Sequence, residues 1–155
     1  MKVLVLTISD RASHGIYEDK SGPAIEQVLI AHLPDVSIER IIVPDDKEAI
    51  LNAFIANTGA EAIITTGGTG IGPRDITPDV TENYCDRLIP GIAEYLRAES
   101  IKQTVNAAIS RTVAGVKGDS IIVNLPGSVN GASFCAELLV PVLVHAVKML
   151  NGEGH

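Results

Sequence analysis

The chain has 155 residues and no tryptophan, with three tyrosines, two phenylalanines and two cysteines. Scarce aromatics leave few platforms on which unpaired bases could stack. Lysine and arginine number 12 against 19 aspartates and glutamates, a net charge of −7. That balance argues against the clustered basic surface needed for sequence-independent nucleic-acid binding. Cys85 and Cys135 form no CxxC pair and lack ligand-like spacing to histidine. They read as buried thiols in a reducing compartment, not as a disulfide or a zinc site. The four histidines are dispersed, and no GxSxG-like or Cys–His context offers a nucleophile. The apolar run at 3–6 is too short for the core of a signal peptide. The run at 138–150 carries Pro141, His145 and Lys148 and is too short to cross a bilayer. A soluble, cytoplasmic protein is expected.

What remains is an acidic chain long enough for one domain with a substantial core. Residues 2–9 form a continuous, mostly apolar run, as in a strand covered on both faces. Ser21 is a plausible N-cap with Pro23 in the first turn, and Ile25, Val28, Leu29 and Leu33 recur at helical spacing. A strand is expected at 37–43, then a helix capped by Pro44-Asp45-Asp46 with Ile50, Leu51, Phe54 and Ile55 on its apolar face. The third strand, 61–66, empties into a glycine-rich turn. Thr77-Pro78 has the chemistry of a helix start, giving a helix to 85. Residues 91–110 are mostly helical in character. Strands at 112–116 and 120–124 are joined by a tight turn at Lys117-Gly118-Asp119, and the last helix spans 131–149. Alternating strands and helices predict an α/β fold, a single three-layer α/β/α domain with a mostly parallel sheet.

Ligands of such sheets sit where strands end and crossovers diverge. Four loops carry suggestive chemistry there: Ser9-Asp10, Pro44-Asp45, Gly67-Gly68-Thr69-Gly70 with Arg74-Asp75, and Pro126-Gly127-Ser128. Glycines allow successive backbone N–H groups to face an anion, so the third loop is a candidate phosphate cradle. A carboxylate such as Asp75 next to phosphate calls for a divalent cation between them, and Mg²⁺ is the usual bridge. The turn is neither a Walker A loop, for want of a Lys-Ser/Thr pair, nor a GxGxxG turn, for want of the spacing. Each feature also has a structural reading. The turn can join strand to helix without a ligand, and Asp75 can close an Asx-turn. Asp45 and Asp46 can cap a helix, Ser9-Asp10 can be ordinary turn chemistry, and Ser128 can sit at a helix N-terminus that also suits an anion. Arg97, Lys102, Arg111 and Lys117 are candidate phosphate cations.

Several ordered motifs together resemble the molybdopterin adenylyltransferases, which include a bacterial enzyme and the G domains of gephyrin and its plant counterpart. They are Ser9-Asp10-Arg11-Ala12-Ser13, Asp19-x-Ser21-Gly22, Thr66-Gly67-Gly68-Thr69-Gly70, Pro73-Arg74-Asp75-Ile76-Thr77-Pro78 and Leu125-Pro126-Gly127. Pro90-Gly91, Arg97-x-Glu99-Ser100 and Ser110-Arg111-x-x-Ala114-Gly115 add to them. The resemblance runs from the first strand to the last helix. It implies a trimer that transfers AMP from Mg-ATP to the terminal phosphate of molybdopterin, with hand-over to a molybdenum-insertion enzyme. It also implies Asp45 and Asp75 as catalytic, magnesium-binding carboxylates, and Gly67, Gly68, Thr69 and Gly70 as the nucleotide-phosphate cradle. Ser9, Asp10, Pro126, Gly127 and Ser128 would line the adjoining substrate pocket.

Such chemistry needs no general base, because a phosphate monoester is largely dianionic near neutral pH, its second pKa being about 6. The missing catalytic histidine is consistent with that. One departure stands out: Val129-Asn130-Gly131 replaces the family's usual proline followed by lysine or asparagine. It motivates an alternative, a non-catalytic molybdopterin-binding or scaffold trimer of the same fold. Retention of residues 73–78 favours an active member of the family over that alternative. A nicotinamide-dependent oxidoreductase is disfavoured by the absent GxGxxG.

Overall fold

Apolar side chains at each position from 3 to 6 leave no polar face, and the segment forms β1 (Lys2–Ile8) inside the sheet. The computed structural model describes residues 1–153. After β1 come α1 (Asp10–Ser13), α2 (Ser21–His32), β2 (Ser37–Val43), α3 (Lys47–Ala56) and β3 (Ala62–Thr66). Then follow α4 (Thr77–Tyr84), β4 (Arg87–Leu88), α5 (Pro90–Gln103) and a 3-10 segment, Val105–Ile109. The chain continues through β5 (Ala114–Lys117), β6 (Ser120–Leu125) and α6 (Val129–Leu150). The strands make one sheet in the order β2-β1-β3-β6-β5-β4. Pairings β2–β1, β1–β3 and β3–β6 are parallel, whereas β6–β5 and β5–β4 are antiparallel.

Alternate residues of β1 enter different cores, as the two-residue period of a strand requires. Val3 and Val5 pack with Ile25 and Leu29 of α2, Leu96 of α5 and Leu139 and Leu143 of α6. Leu4, Leu6 and Ile8 pack on the opposite face with Ile50 and Phe54 of α3 and Val80 of α4. The result is the expected three-layer arrangement. By length and composition α6 is long enough to cross a membrane. Its apolar stripe, Ala132, Cys135, Ala136, Leu139, Val140, Leu143 and Val147, is instead buried, and Glu137, His145 and Lys148 are exposed.

Local chemistry moves several boundaries from their expected places. Ser21 lies inside α2 and does not cap it; Asp19 accepts from the N–H groups of Ser21 and Gly22, both at 3.1 Å. The helical stretch expected at 91–110 breaks at Thr104, whose backbone is extended and starts the 3-10 segment. The last helix begins at Val129, two residues early, because Ser128 accepts from Gly131 N–H at 3.3 Å. The short strand β4 and the short helix α1 had no separate signature in the sequence.

One buried polar residue of β6 ties the sheet to α4. Asn124 of β6 donates to the hydroxyls of Thr65 at 3.0 Å and Thr81 at 2.9 Å, and accepts from Val113 N–H at 3.3 Å. Asn124→Leu leaves that N–H without its partner, so we expect a loss of about 1–3 kcal/mol in unfolding free energy, read by urea denaturation.

Candidate functional site

The ends of four parallel strands are level. Ile8 pairs with Val43, Thr7 with Thr66, and Thr66 with Leu125. The loops that follow therefore emerge on one rim, at the switch between β1 and β3 where successive crossovers part. Gly67 leaves β3 at φ 102° and Gly68 continues at φ 62°. Thr77 Oγ1 donates to the Gly67 carbonyl at 2.9 Å, and Thr66 Oγ1 donates to the Pro126 carbonyl at 2.8 Å. Two threonine hydroxyls thus fasten the turn to α4 and to the loop after β6.

The neighbouring aspartates Asp45 and Asp46 do different work. Asp46 caps α3, accepting from Ala49 N–H at 2.9 Å. Asp45 turns the other way, and its Oδ2 accepts from Asp10 N–H at 2.8 Å. Asp45 N–H in return donates to Asp10 Oδ1 at 3.0 Å. Asp10 also holds Arg74 through Nε at 3.0 Å and Nη2 at 2.8 Å. Asp75 folds back on its own turn, accepting from Gly72 N–H at 2.7 Å through Oδ2. Cβ atoms on Gly70 or Gly72 would stand 2.8 and 2.9 Å from that oxygen. Small residues are what let the carboxylate lie there.

Two cavities meet at this turn. The smaller, about 260 Å³, is bordered by Ser9, Asp45, Gly67, Gly68, Asp75 and Gly127 together with Arg74 and Asp19. The larger, about 560 Å³, is bordered by Thr69, Gly70, Pro126 and Ser128, with Leu96, Arg97, Ile109, Asn130 and Phe134 among its walls. The expected residues are therefore shared between two cavities. Asp10 borders neither and stands behind Asp45, engaged with Arg74. The walls given by α5 and α6 had no motif, because they are assembled from segments far apart in sequence.

The candidate phosphate cations are mostly occupied. Arg111 donates to the Gly70 carbonyl at 2.8 Å, to the Asp75 carbonyl, and to Asp79 at 3.0 and 3.1 Å. It clamps the glycine turn to α4. Lys102 pairs with Glu99 and Lys117 with Asp86. Arg97 donates to the carbonyls of Ser110 and Thr112 while bordering the larger cavity. Asp19, which the motif alone gave no role, accepts from Thr7 Oγ1 at 2.7 Å, caps α2 and borders the smaller cavity.

Burial pushes the Asp45 carboxyl above its ordinary range, and the charges of Asp10 and Asp75 add to this against the Asp10 N–H bond. Arg74 holds Asp10 below its ordinary range. Neither free thiol is activated; burial takes Cys85 up to about 11 and also raises Cys135. For Asp45 the folded protein binds the proton more tightly than the unfolded chain. Stability therefore falls as pH rises from the ordinary aspartate value through the raised one. Asp45→Asn is expected to melt at a higher temperature than wild type at neutral pH, with that advantage gone at pH 3, as followed by circular dichroism.

Among the described residues no cluster of three or more His, Cys, Asp or Glu is arranged as a protein-only metal site. The donor set fits Mg²⁺ in another way. That ion is commonly held by one or two carboxylates together with water and substrate phosphates. Among the described residues, Asp45 and Asp75 each use one oxygen within the protein and keep the other unbonded.

Comparison with known proteins decides the family. Residues 4–145 match the model described as "Probable molybdopterin binding domain". The chain belongs to this family. A molybdopterin adenylyltransferase of Helicobacter pylori is 40% identical over 153 residues, 96% of this chain and 87% of that protein. The molybdopterin biosynthesis enzyme MoaB of Thermus thermophilus superposes with a TM-score of 0.86 at 41% identity, covering 97% of this chain and 96% of that one. A tungsten cofactor synthesizing protein, MoaB of Pyrococcus furiosus, gives a TM-score of 0.86 at 35% identity, covering 96% of each chain.

Proposed function

We propose that this protein is a molybdopterin adenylyltransferase of molybdenum cofactor biosynthesis, moving AMP from ATP onto the terminal phosphate of molybdopterin. One observation carries the reading beyond the family. Two carboxylates with an unbonded oxygen each flank a glycine turn that borders both cavities. A reaction that joins two phosphorylated molecules needs such a place, where their charged ends meet.

The larger cavity, with Leu96, Ile109 and Phe134 beside Arg97 and Ser128, suits a flat ring with hydrogen-bonding edges. The glycine turn offers backbone to the phosphates, and Arg111 and Thr77 keep it in place. A pterin phosphate oxygen attacks the α-phosphorus of ATP, the bond to the β-phosphate oxygen breaks, and pyrophosphate departs. No proton need be removed from the nucleophile. Alignment of the two anions can lower the barrier by about 7–11 kcal/mol. Asp45 and Asp75 would hold Mg²⁺, which supplies neutralisation of charge on the α-phosphate and the departing pyrophosphate.

The Val129-Asn130 substitution does not disrupt this arrangement. Both residues enter the first turn of α6 under the Ser128 cap, and Asn130 borders the larger cavity. Exposed Ile101, Val105 and Ile109 accompany a proposed homotrimer, measurable by light scattering. The adenylylated pterin would pass to a metal-insertion step. The deciding experiment incubates the purified protein with molybdopterin, ATP and Mg²⁺. Adenylylated pterin with stoichiometric pyrophosphate is expected; pterin binding without pyrophosphate would select the scaffold reading.

A further inference from the structure

We infer that Asp10 is a positioning residue for Asp45, and that its ion pair with Arg74 ties the glycine turn into the same frame. The inference rests on the adenylyl-transfer reading and adds a residue that touches neither substrate. Both carboxylate oxygens of Asp10 are engaged within the protein. Its Oδ1 accepts from Asp45 N–H at 3.0 Å and from Arg74 Nη2 at 2.8 Å, and its Oδ2 accepts from Arg74 Nε at 3.0 Å. Its N–H fixes one oxygen of Asp45 at 2.8 Å. The other Asp45 oxygen is left against Gly68, 3.0 Å from where a Cβ would stand.

Four hydrogen bonds therefore connect three segments that are remote in sequence. They follow β1, β2 and β3 and carry Asp10, Asp45 and Arg74. Arg74 is adjacent to Asp75, so the same pair that orients one candidate metal carboxylate also restrains the loop carrying the other. A bidentate arginine–carboxylate pair has the directional rigidity for this, whereas a lysine would give only a point charge. The competing role for Arg74 is direct contact with the nucleotide phosphates, since it borders the smaller cavity.

A double-mutant cycle separates the two. Asp10→Ala, Arg74→Ala and the double variant are compared for kcat, for KM of ATP, and for Mn²⁺ binding in the presence of ATP by electron paramagnetic resonance. We expect each single change to lower kcat by about 10–100-fold, as loss of alignment does. The double variant should fall within about twofold of the worse single one, because both remove the same unit. KM for ATP should stay nearly constant and Mn²⁺ affinity should weaken in all three. Asp10→Asn, which keeps an acceptor for Asp45 N–H, should lie between wild type and Asp10→Ala and guards against a variant that fails to fold. Independent, multiplicative losses, or a rise in KM confined to the Arg74 variant, would overturn the inference. If wild type makes no adenylylated pterin, the proposed reaction fails, and unchanged or weakened Mn²⁺ binding still decides the role of Asp10.

Discussion

Asparagine in place of Asp75, or of Asp45, is expected to slow AMP transfer by about 10²–10³-fold while the fold stays intact. The amide keeps an oxygen able to accept the existing internal bond, from Gly72 N–H in one case and Asp10 N–H in the other. The unbonded oxygen becomes an NH2 donor, and the negative charge is lost with it. A hard, oxygen-seeking cation loses an anionic ligand, so the Mg²⁺ concentration needed for half-maximal rate should rise along with the loss in kcat. Asp45→Asn should be slow and yet more heat-resistant at neutral pH, because the ionised group is the destabilising form. That opposition is the usual sign of a group kept for activity at a cost in stability. An Asp75→Asn protein as fast as wild type would remove the metal role from Asp75 even if the transfer reaction were found.

The sheet and the rim were legible in the sequence because both rest on local signals. A continuous apolar run marks a strand buried on two faces, and a glycine turn at its end marks a place where backbone must be exposed. Asp45 and Asp46 show the limit of such reasoning. Capping chemistry fits either aspartate, and only the fold reveals that Asp46 takes the helix and leaves Asp45 to face Asp10. Composition likewise offered four cations for phosphate, yet three are paired with carboxylates, one of them also with the glycine turn itself. Occupancy is a property of three-dimensional neighbours, which no spacing rule encodes.

The larger cavity was illegible for a related reason. Leu96, Ile109 and Phe134 are ordinary apolar residues in three separate segments, and none has a pattern that distinguishes a cavity wall from a core position. Asp19 belongs to a sequence motif, but its role lies in the fold, where its oxygens span Thr7 and the start of α2. Glycine at position 22 belongs to the same device. A Cβ there would stand 2.8 Å from Thr7 Oγ1 and collide with the Asp19 carboxylate.

Gly67→Ala is the substitution expected to cost most stability per atom added. Position 67 lies at φ 102°, where a side chain is strained, and a Cβ there would press into the Ile8 carbonyl oxygen, a backbone atom held by the sheet. Gly127 approaches from the other side, its own Cβ position 3.1 Å from Gly67 Cα. No flexible side chain can move aside, so backbone strain and overpacking add to a loss of about 2–5 kcal/mol. For a chain of this size that is a fall in Tm of roughly 5–15 °C. Gly118→Ala is the internal comparison: φ is 55° but nothing lies within 4 Å, so only the backbone penalty of about 1–2 kcal/mol applies. Since the chain has no tryptophan, circular dichroism is the suitable readout of both melts. Equal losses in the two variants would mean that left-handed conformation alone selects glycine at 67. The crevice between β1 and β3 would then be wide enough to accept a methyl group, and the close backbone approach on which the phosphate cradle depends would be absent.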